Sequence, residues 1–322
     1  MTKLEEMLEH GGSVVILGHV NPDGDCAGSC LAMYNYAKKK NPGTYVRLYL
    51  QPVPGKFSYL KGYDEIQSEM QEEKPFDLCI CLDCSDRERL GQFGEYFDKA
   101  GQSICIDHHI TNQGYAQANV IDAQASSSCE VLYGQLRPDM IDKDIAACLY
   151  TGMVHDTGVF RYSCTSARTM EIAGRLMAMG IDFTKIIDDT FFRKTYLQSQ
   201  ILGRALMESI RFMDGRCIFT VIKKQDMAFY GVDNKDLDGI VDQLRTIEGV
   251  ECAIFMYETD PHIYKVSMRS NDLVNVSKIA AYFGGGGHVR AAGCTMSGSV
   301  HDVVNNLSEH IEKQLSLEDA NV

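Results

Sequence analysis

The sequence predicts an α/β fold in two parts: a parallel-sheet domain joined by a helical linker to a smaller α+β domain. Three observations carry that prediction. Near-continuous apolar runs alternate with helical stretches through the first half, the pattern of a parallel sheet covered on both faces. From about residue 214 the texture changes to short strands, a hairpin and intervening helices. The length, 322 residues, suits two domains at roughly 150 residues each. The expected boundaries are 1–185 for the first domain, 186–213 for the linker and 214–316 for the second domain, with a disordered tail at 317–322.

Residues 13–17 (Ser-Val-Val-Ile-Leu) form the first expected strand. A helix follows over 27–40, because Leu31, Met33, Tyr34 and Ala37 recur near helical spacing and lysines fill its last turn. Asn41-Pro42-Gly43 ends it. Further apolar strands are expected at 45–50, 76–82 and 103–106. Residues 140–181 read as mostly helical, interrupted at Asp156-Thr157-Gly158, and 183–211 as a long connecting helical region. In the second domain, 216–222 reads as a strand and 237–247 as a helix. Residues 253–257 and 264–269 pair as a hairpin around Asp260-Pro261-His262, and a helix over 276–282 precedes a run of four glycines.

Bulk properties narrow the class. Hydrophobic residues make up 45% and charged residues 23%, as in an ordinary soluble globular protein. No apolar run approaches the roughly 20 residues of a membrane-spanning helix. The acidic start, Met1-Thr2-Lys3-Leu4-Glu5-Glu6, lacks the basic-then-apolar order of a signal peptide, so a cytoplasmic location is expected. The 12 cysteines are scattered through apolar segments and read as reduced, buried small hydrophobes. Cys79 and Cys81 would share a strand face roughly 6.5–7 Å apart with parallel side chains, a poor disulfide geometry, and their spacing is not that of a zinc site. A net charge of −13 argues against a long duplex nucleic acid, which needs an extended basic surface. A small anionic substrate stays compatible, because local cations make single pockets positive on acidic proteins.

Four acid/imidazole clusters end apolar stretches: His19-Val20-Asn21-Pro22-Asp23-Gly24-Asp25, Leu82-Asp83, Asp107-His108-His109 and His155-Asp156-Thr157-Gly158. Taken singly, each has an ordinary reading as turn aspartates or helix caps. Together they favour one metal-centred site, since ligands of open α/β sheets bind at the carboxyl ends of the strands. Pro22 and Gly24 make a tight turn that can aim Asp23 and Asp25 at one centre. His19, Asp23, Asp25, Asp83, His108 and Asp156 offer nitrogen and oxygen donors suited to Mn²⁺ and similar ions. That inventory suffices for two ions sharing a bridging carboxylate, a centre that activates water against phosphorus and steadies charge on phosphoryl oxygens.

The second domain carries Phe283-Gly284-Gly285-Gly286-Gly287-His288 and then Ala291-Ala292-Gly293. Such a run is either a flexible linker or a concavity of backbone N–H groups that cradles an anion. Its position after a helix and before His288 favours the cradle. Strand period places Lys265, Ser267 and Arg269 on one face, and beside a cradle Arg269 becomes a bidentate phosphate clamp. Arg161 and, more weakly, Arg89 are further candidates.

These segments, in this order and across nearly the whole chain, closely resemble the DHH phosphoesterases that carry a DHH-associated second domain, in the branch of nanoRNases and pAp phosphatases. The matching motifs are His19 to Asp25, Leu82-Asp83, Asp107-His108-His109, Asp156-Thr157-Gly158-Val159-Phe160-Arg161, Lys265 to Ser270 and Gly284 to His288. The resemblance implies a cleft between two lobes and two Mn²⁺ ions, with Mg²⁺ or Co²⁺ as substitutes. His19 and Asp23 would hold one ion, Asp25 and His108 the other; Asp83 would bridge and Asp156 complete the set. Asp107 would orient His108, and His109 would face the scissile phosphate. Arg269, Ser270, Gly285, Gly286, Gly287 and His288, with Arg161, would bind substrate. The implied reaction is hydrolysis of short oligoribonucleotides to mononucleotides and of 3′-phosphoadenosine 5′-phosphate to AMP. The alternatives are a cyclic or linear di-AMP phosphodiesterase, or a nucleotide sensor without catalysis. The expected partners are short single-stranded RNA or small adenine nucleotides, with no duplex DNA and no membrane, acting on a monomer or homodimer. His155 has no part in the resemblance; it reads either as a spare surface histidine or as a group that tunes Asp156.

Overall fold

The computed structural model describes residues 1–10, 12–71 and 74–319. The chain divides into two compact units, Met1–Arg193 and Lys194–Val322. The first unit holds strands β1 (Ser13–Leu17), β2 (Tyr45–Tyr49), β3 (Ile66–Gln67), β4 (Leu78–Leu82), β5 (Gln102–Asp107) and β6 (Ala118–Ile121). Its longer helices are α1 (Lys3–His10), α2 (Gly24–Lys40), α3 (Gly94–Lys99), α4 (Ser128–Tyr133), α5 (Lys143–Asp156), α6 (Ala167–Ala178) and α7 (Phe183–Ile187).

All the strand pairs of this sheet are parallel, in the order β3-β2-β1-β4-β5-β6. The chain leaves β1 toward β2 on one side and returns to β4 on the other. The switch point therefore falls between β1 and β4, where open α/β sheets build their sites. The sheet is covered on both faces. Val14, Ile16, Ile80, Ile104 and Ile106 pack with α2, α4 and α5, while Val15, Leu17, Cys79, Cys81 and Cys105 pack with Phe93 and Tyr96. This double burial explains why the strands read as continuous apolar runs. The strands end in step, with Leu17 opposite Cys81 and Leu82 opposite Ile106, so the residues that follow emerge side by side.

The second unit contains β7 (Ile210–Phe212), β8 (Cys217–Ile222), β9 (Cys252–Asp260), β10 (Ile263–Ser270), β11 (Gly286–His288) and β12 (Ala291–Ser297) in the order β11-β12-β10-β9-β8-β7. Only the β8–β9 pair is parallel. Helices α8 (Tyr196–Met207), α9 (Lys224–Tyr230), α10 (Ile240–Arg245), α11 (Val276–Tyr282) and α12 (Val300–Asp319) accompany it. One face buries Val266, Met268, Cys294 and Met296 against α11 and α12, and the other buries Ile218, Ala253 and Phe255 against α8 and α10.

Several boundaries differ from expectation. The helix expected over 27–40 starts at Gly24, because Asp23 caps it by accepting from the N–H groups of Asp25 and Cys26. The linker expected over 186–213 is divided. Residues up to Arg193 belong to the first unit, and α8 begins the second behind a capping box of Thr195 and Gln198, a signature of a new helix start. Residues 317–319 of the expected tail continue α12, whose buried Val303, Leu307, Ile311 and Leu315 recur at helical spacing; residues 320–322 lie outside the described residues. Strands β3, β6, β7, β11 and β12 and helices α1, α3, α4, α9 and α12 are additions. No helix among the described residues is long and apolar enough to cross a membrane.

Candidate metal centre

The turn after β1 places His19, Asp23 and Asp25. Asp25 is fully buried, and its carboxylate accepts from the backbone N–H of Ser128 (2.6 Å) and Cys129 (3.0 Å) at the start of α4. His19 Nδ1 donates to Val20 O at 2.8 Å. This leaves Nε2 toward the carboxylates, 3.7 Å from Asp23 Oδ1 and 3.4 Å from Asp83 Oδ2. Asp83 follows β4 in a left-handed conformation, φ +55°, which costs a non-glycine residue about 1–2 kcal/mol. The other Asp83 oxygen, Oδ1, faces His108 Nε2 at 3.8 Å and His109 Nδ1 at 3.7 Å. His108 Nε2 also lies 3.1 Å from Asp156 Oδ2 at the end of α5. Asp83 thus presents one oxygen to the imidazole after β1 and the other to the imidazoles after β5.

The structure brings all six expected ligands and both ends of the Asp107-His108-His109 triplet to this one place, but it reassigns Asp107. Its Oδ1 accepts from His109 Nδ1 at 2.8 Å, and Oδ2 accepts from Asn112 Nδ2 at 2.7 Å. Asp107 was expected to orient His108; it holds His109. The reason is that Asp107 is the last, buried residue of β5, so its carboxylate stays in the protein and meets the ring two residues on.

Five carboxylates face three imidazoles here, and the charges show it. Burial, reinforced by Asp83 and Asp156, drives the Asp25 carboxyl well above the carboxylate range. Burial also raises Asp156, against the pull of the His108 hydrogen bond. Burial alone would depress His108, but Asp156 and Asp25 override it and raise the ring. Burial would depress His19 as well, but the facing carboxylates of Asp23 and Asp83 outweigh it and raise the ring to about 12. Asp107 behaves oppositely: despite burial, the His109 and Asn112 hydrogen bonds hold it to about 2. A buried excess of acid with nitrogen and oxygen donors fits divalent cations. Two trios offer atoms within 4.8 Å of one another: Asp25, His108 and Asp156, all expected ligands, and Asp83, His108 and His109, the last expected to face substrate.

The family models decide the identity. The DHH family N-terminal domain matches residues 13–153, and the DHHA1 domain matches residues 215–317. The chain is a DHH-family protein with a DHHA1 domain. It is 28% identical over 295 residues to the bifunctional oligoribonuclease and PAP phosphatase NrnA of Thermus thermophilus, covering 89% of this chain and 85% of that protein. It is 25% identical over 300 residues to the Bacillus subtilis NrnA, covering 92% and 93%. The crystal structure of an exopolyphosphatase-related protein from Bacteroides fragilis superposes with a TM-score of 0.89 at 24% identity, covering 98% of this chain and 96% of that one, which establishes the shared fold.

In the DHHA1 domain, Arg269 and His288 stand in one cross-strand row, each paired with Ala291 from opposite sides. Two strand spacings place them about 10 Å apart. Arg269 Nε donates to Asp242 Oδ1 of α10 at 3.0 Å. The glycine run departs from the expected cradle. The N–H groups of Gly284 and Gly285 cap α11 by donating to Ala281 O and Ala280 O, and Gly286 to His288 pair with β12 as the edge strand. Ser270 is buried, and its hydroxyl donates to Val274 O at 2.6 Å, so it shapes the loop after β10.

Arg161 is exposed and follows three consecutive left-handed residues, Gly158, Val159 and Phe160. The Asp86 carboxylate accepts from the backbone N–H of Arg89 at 2.9 Å. His155 is neither a spare surface group nor a partner of Asp156. Its Nε2 meets Thr190 Oγ1 at 2.9 Å, its ring packs on Phe57 and against Gly24, and burial lowers it to about 4.

Sequence reasoning missed the supports. Ser128 Oγ donates to Asp83 Oδ1 at 2.9 Å and Asp107 Oδ1 at 3.3 Å. Asn112 fixes Asp107, and Gly152 lets α5 approach Asp25. The pattern Ser127-x-x-Glu130 was a readable helix-start signal for α4, and Ser127 does cap it. Nothing in the sequence pointed to Asn112.

Proposed function

We propose that this phosphoester hydrolase cleaves short oligoribonucleotides to mononucleotides and converts 3′-phosphoadenosine 5′-phosphate to AMP in the cytoplasm, with two divalent ions, Mn²⁺ foremost, at the strand-end centre. The observation that carries the reading is Asp83, strained at a strand end with its two oxygens turned to two separate imidazole groups. The likeness to the two NrnA proteins over most of both chains supports the substrate class. His19, Asp23 and Asp83 would hold one ion, and Asp25, Asp83, His108 and Asp156 the other. Bound ions would supply Lewis-acid activation of a water and neutralise charge on the phosphoryl oxygens.

The chain's own groups do the rest. His109, raised by its hydrogen bond to Asp107, would present its second ring nitrogen to a phosphoryl or leaving oxygen. Ser128 and the α4 N–H groups hold Asp83 and Asp25 in place, so ligand positions do not reorganise during turnover. Arg269 and His288, beside the Gly286–Gly287 edge strand, would hold a non-scissile phosphate, and Arg161 would add a further cation.

The test compares wild type with Asp83→Asn on oligoribonucleotides of two to five residues, pAp, linear di-adenylate and cyclic di-AMP, side by side with Mn²⁺ and with EDTA. Wild type should release mononucleotides from the linear substrates only when metal is present, and the variant should lose at least about a hundredfold. Normal turnover by Asp83→Asn would sink the two-ion reading. Cleavage of cyclic di-AMP ahead of every linear substrate would move the chain to the cyclic-dinucleotide reading.

A further inference from the structure

A third trio at the centre includes a residue outside the expected ligand set: His19, Cys26 and Asp83, all buried, offer atoms within 4.8 Å of one another. Metal–sulfur and metal–nitrogen bonds of about 2.3 and 2.1 Å set two ligands of a tetrahedral ion about 3.6 Å apart. The trio therefore closes onto an ion by about 1 Å or less. Three features aim the sulfur there. Cys26 lies in the first turn of α2, directly after Gly24 and Asp25. Its backbone N–H is fixed by Asp23 Oδ1 at 3.1 Å. Gly18, immediately before His19, makes room for it: a Cβ at Gly18 would stand 2.4 Å from Cys26 Sγ and 3.1 Å from Cys30 Sγ. Gly18 is absent from the residues with positive φ, so it is space for the sulfur, not backbone conformation, that calls for glycine.

We infer that Cys26 is a thiolate ligand of the ion held by His19 and Asp83, so that this position takes thiophilic divalent ions (Zn²⁺, Fe²⁺ or Co²⁺) more strongly than the position without sulfur does. The inference rests on the metal-centre reading above and adds a seventh ligand to it. Soft sulfur donors discriminate among first-row ions where carboxylates and imidazoles alone discriminate less. On binding, the sulfur–metal bond forms as the S–H bond breaks, and the thiol proton leaves to solvent.

Cobalt alone, added to the metal-free full-length protein, separates the possibilities. Wild type should show both the visible d–d bands of bound Co²⁺ and a near-ultraviolet thiolate-to-cobalt charge-transfer band. Cys26→Ser should keep the d–d bands and lose the charge-transfer band; Cys30→Ser, one helical turn on, should keep both. Metal analysis after competition between Zn²⁺ and Mn²⁺ should show the Zn²⁺ preference falling about tenfold in Cys26→Ser. If that variant does not fold, Cys26→Ala gives the same readout. Bound Co²⁺ without a charge-transfer band in wild type, or a band that survives loss of Cys26, overturns the assignment while the metal centre stands. Absence of any Co²⁺ signal in wild type overturns both.

Discussion

Asp107 holds His109, and this changes what its loss should do. Were it a support for a metal-binding imidazole, Asp107→Asn would weaken ion binding by about 10–100-fold. Because its partners are His109, Asn112 and Ser128, the expected outcome is near-normal Mn²⁺ affinity with kcat reduced about a hundredfold. His109→Gln should lower kcat similarly, and the double variant should lose little more than either single one, as for groups acting as a unit. Metal titration together with single-turnover kinetics checks both. The six carboxylates and imidazoles proposed as ligands come from short motifs at strand and helix ends, which the aligned strands bring side by side. Asp107's partner was not readable, because a backbone turn decides whether a carboxylate meets the ring one or two residues on.

At the scale of elements, the centre depends on how closely α2 approaches α5. A Cβ at Gly28 would stand 2.5 Å from Cys148 O, and one at Gly152 would stand 2.5 Å from Asp25 Oδ1 and 2.3 Å from Cys129 Sγ. Gly152→Ala should cost about 1–3 kcal/mol through overpacking and displace Asp25, seen as a lower Tm together with weaker Mn²⁺ binding. Gly174, inside α6 with nothing within 4 Å of an added Cβ, is the contrast: Gly174→Ala should stabilise by about 0.4–1 kcal/mol with ion affinity unchanged. The long strands of the first unit and helices α2 and α5 were readable from apolar period and turn residues, since the sheet buries both faces and its strands carry long apolar runs; α12 and β12 of the second unit were not. Helix α4 offered only its start signal, Ser127-x-x-Glu130, because its six residues carry little periodicity. The glycine run misled for a physical reason: glycine permits a cradle, but pairing with β12 and capping of α11 claim its N–H groups first.

For the whole molecule, the acid excess at the centre couples folding to pH and metal. Asp25 and Asp156 are raised above their ordinary values, so their ionisation destabilises the metal-free fold as pH climbs out of the carboxylate range. His108 is raised and His19 rises to about 12; their stabilisation is full below pH 6.5 and is lost as pH rises toward those values. Both effects have one sign, while His155, lowered to about 4, adds stability as pH rises to 6.5 and opposes them there. The EDTA-treated protein should therefore lose Tm steadily from pH 6.5 to pH 9. Mn²⁺ should restore it most at the alkaline end, while releasing protons to a weakly buffered indicator at pH 7. A flat Tm across that range would mean that the buried acids are not ionising against one another. The division into two units was foreseen in outline, while the break at Arg193 was hidden by helical residues on both sides of it.

The step-for-step alignment of β1, β4 and β5 has a consequence for folding fidelity. A parallel strand displaced by one residue turns every side chain to the opposite face, and in β5 that would exchange Asp107 with His108. The apolar runs of this sheet are nearly uniform on both faces, so hydrophobic burial alone discriminates poorly against such a slip. A misthreaded chain would be almost as well packed yet could not gather His19, Asp83 and His108 around one point. Ion capture then acts as a proofreader: its binding free energy is gained only by the correctly threaded chain, and metal present during refolding should raise the yield of the native register.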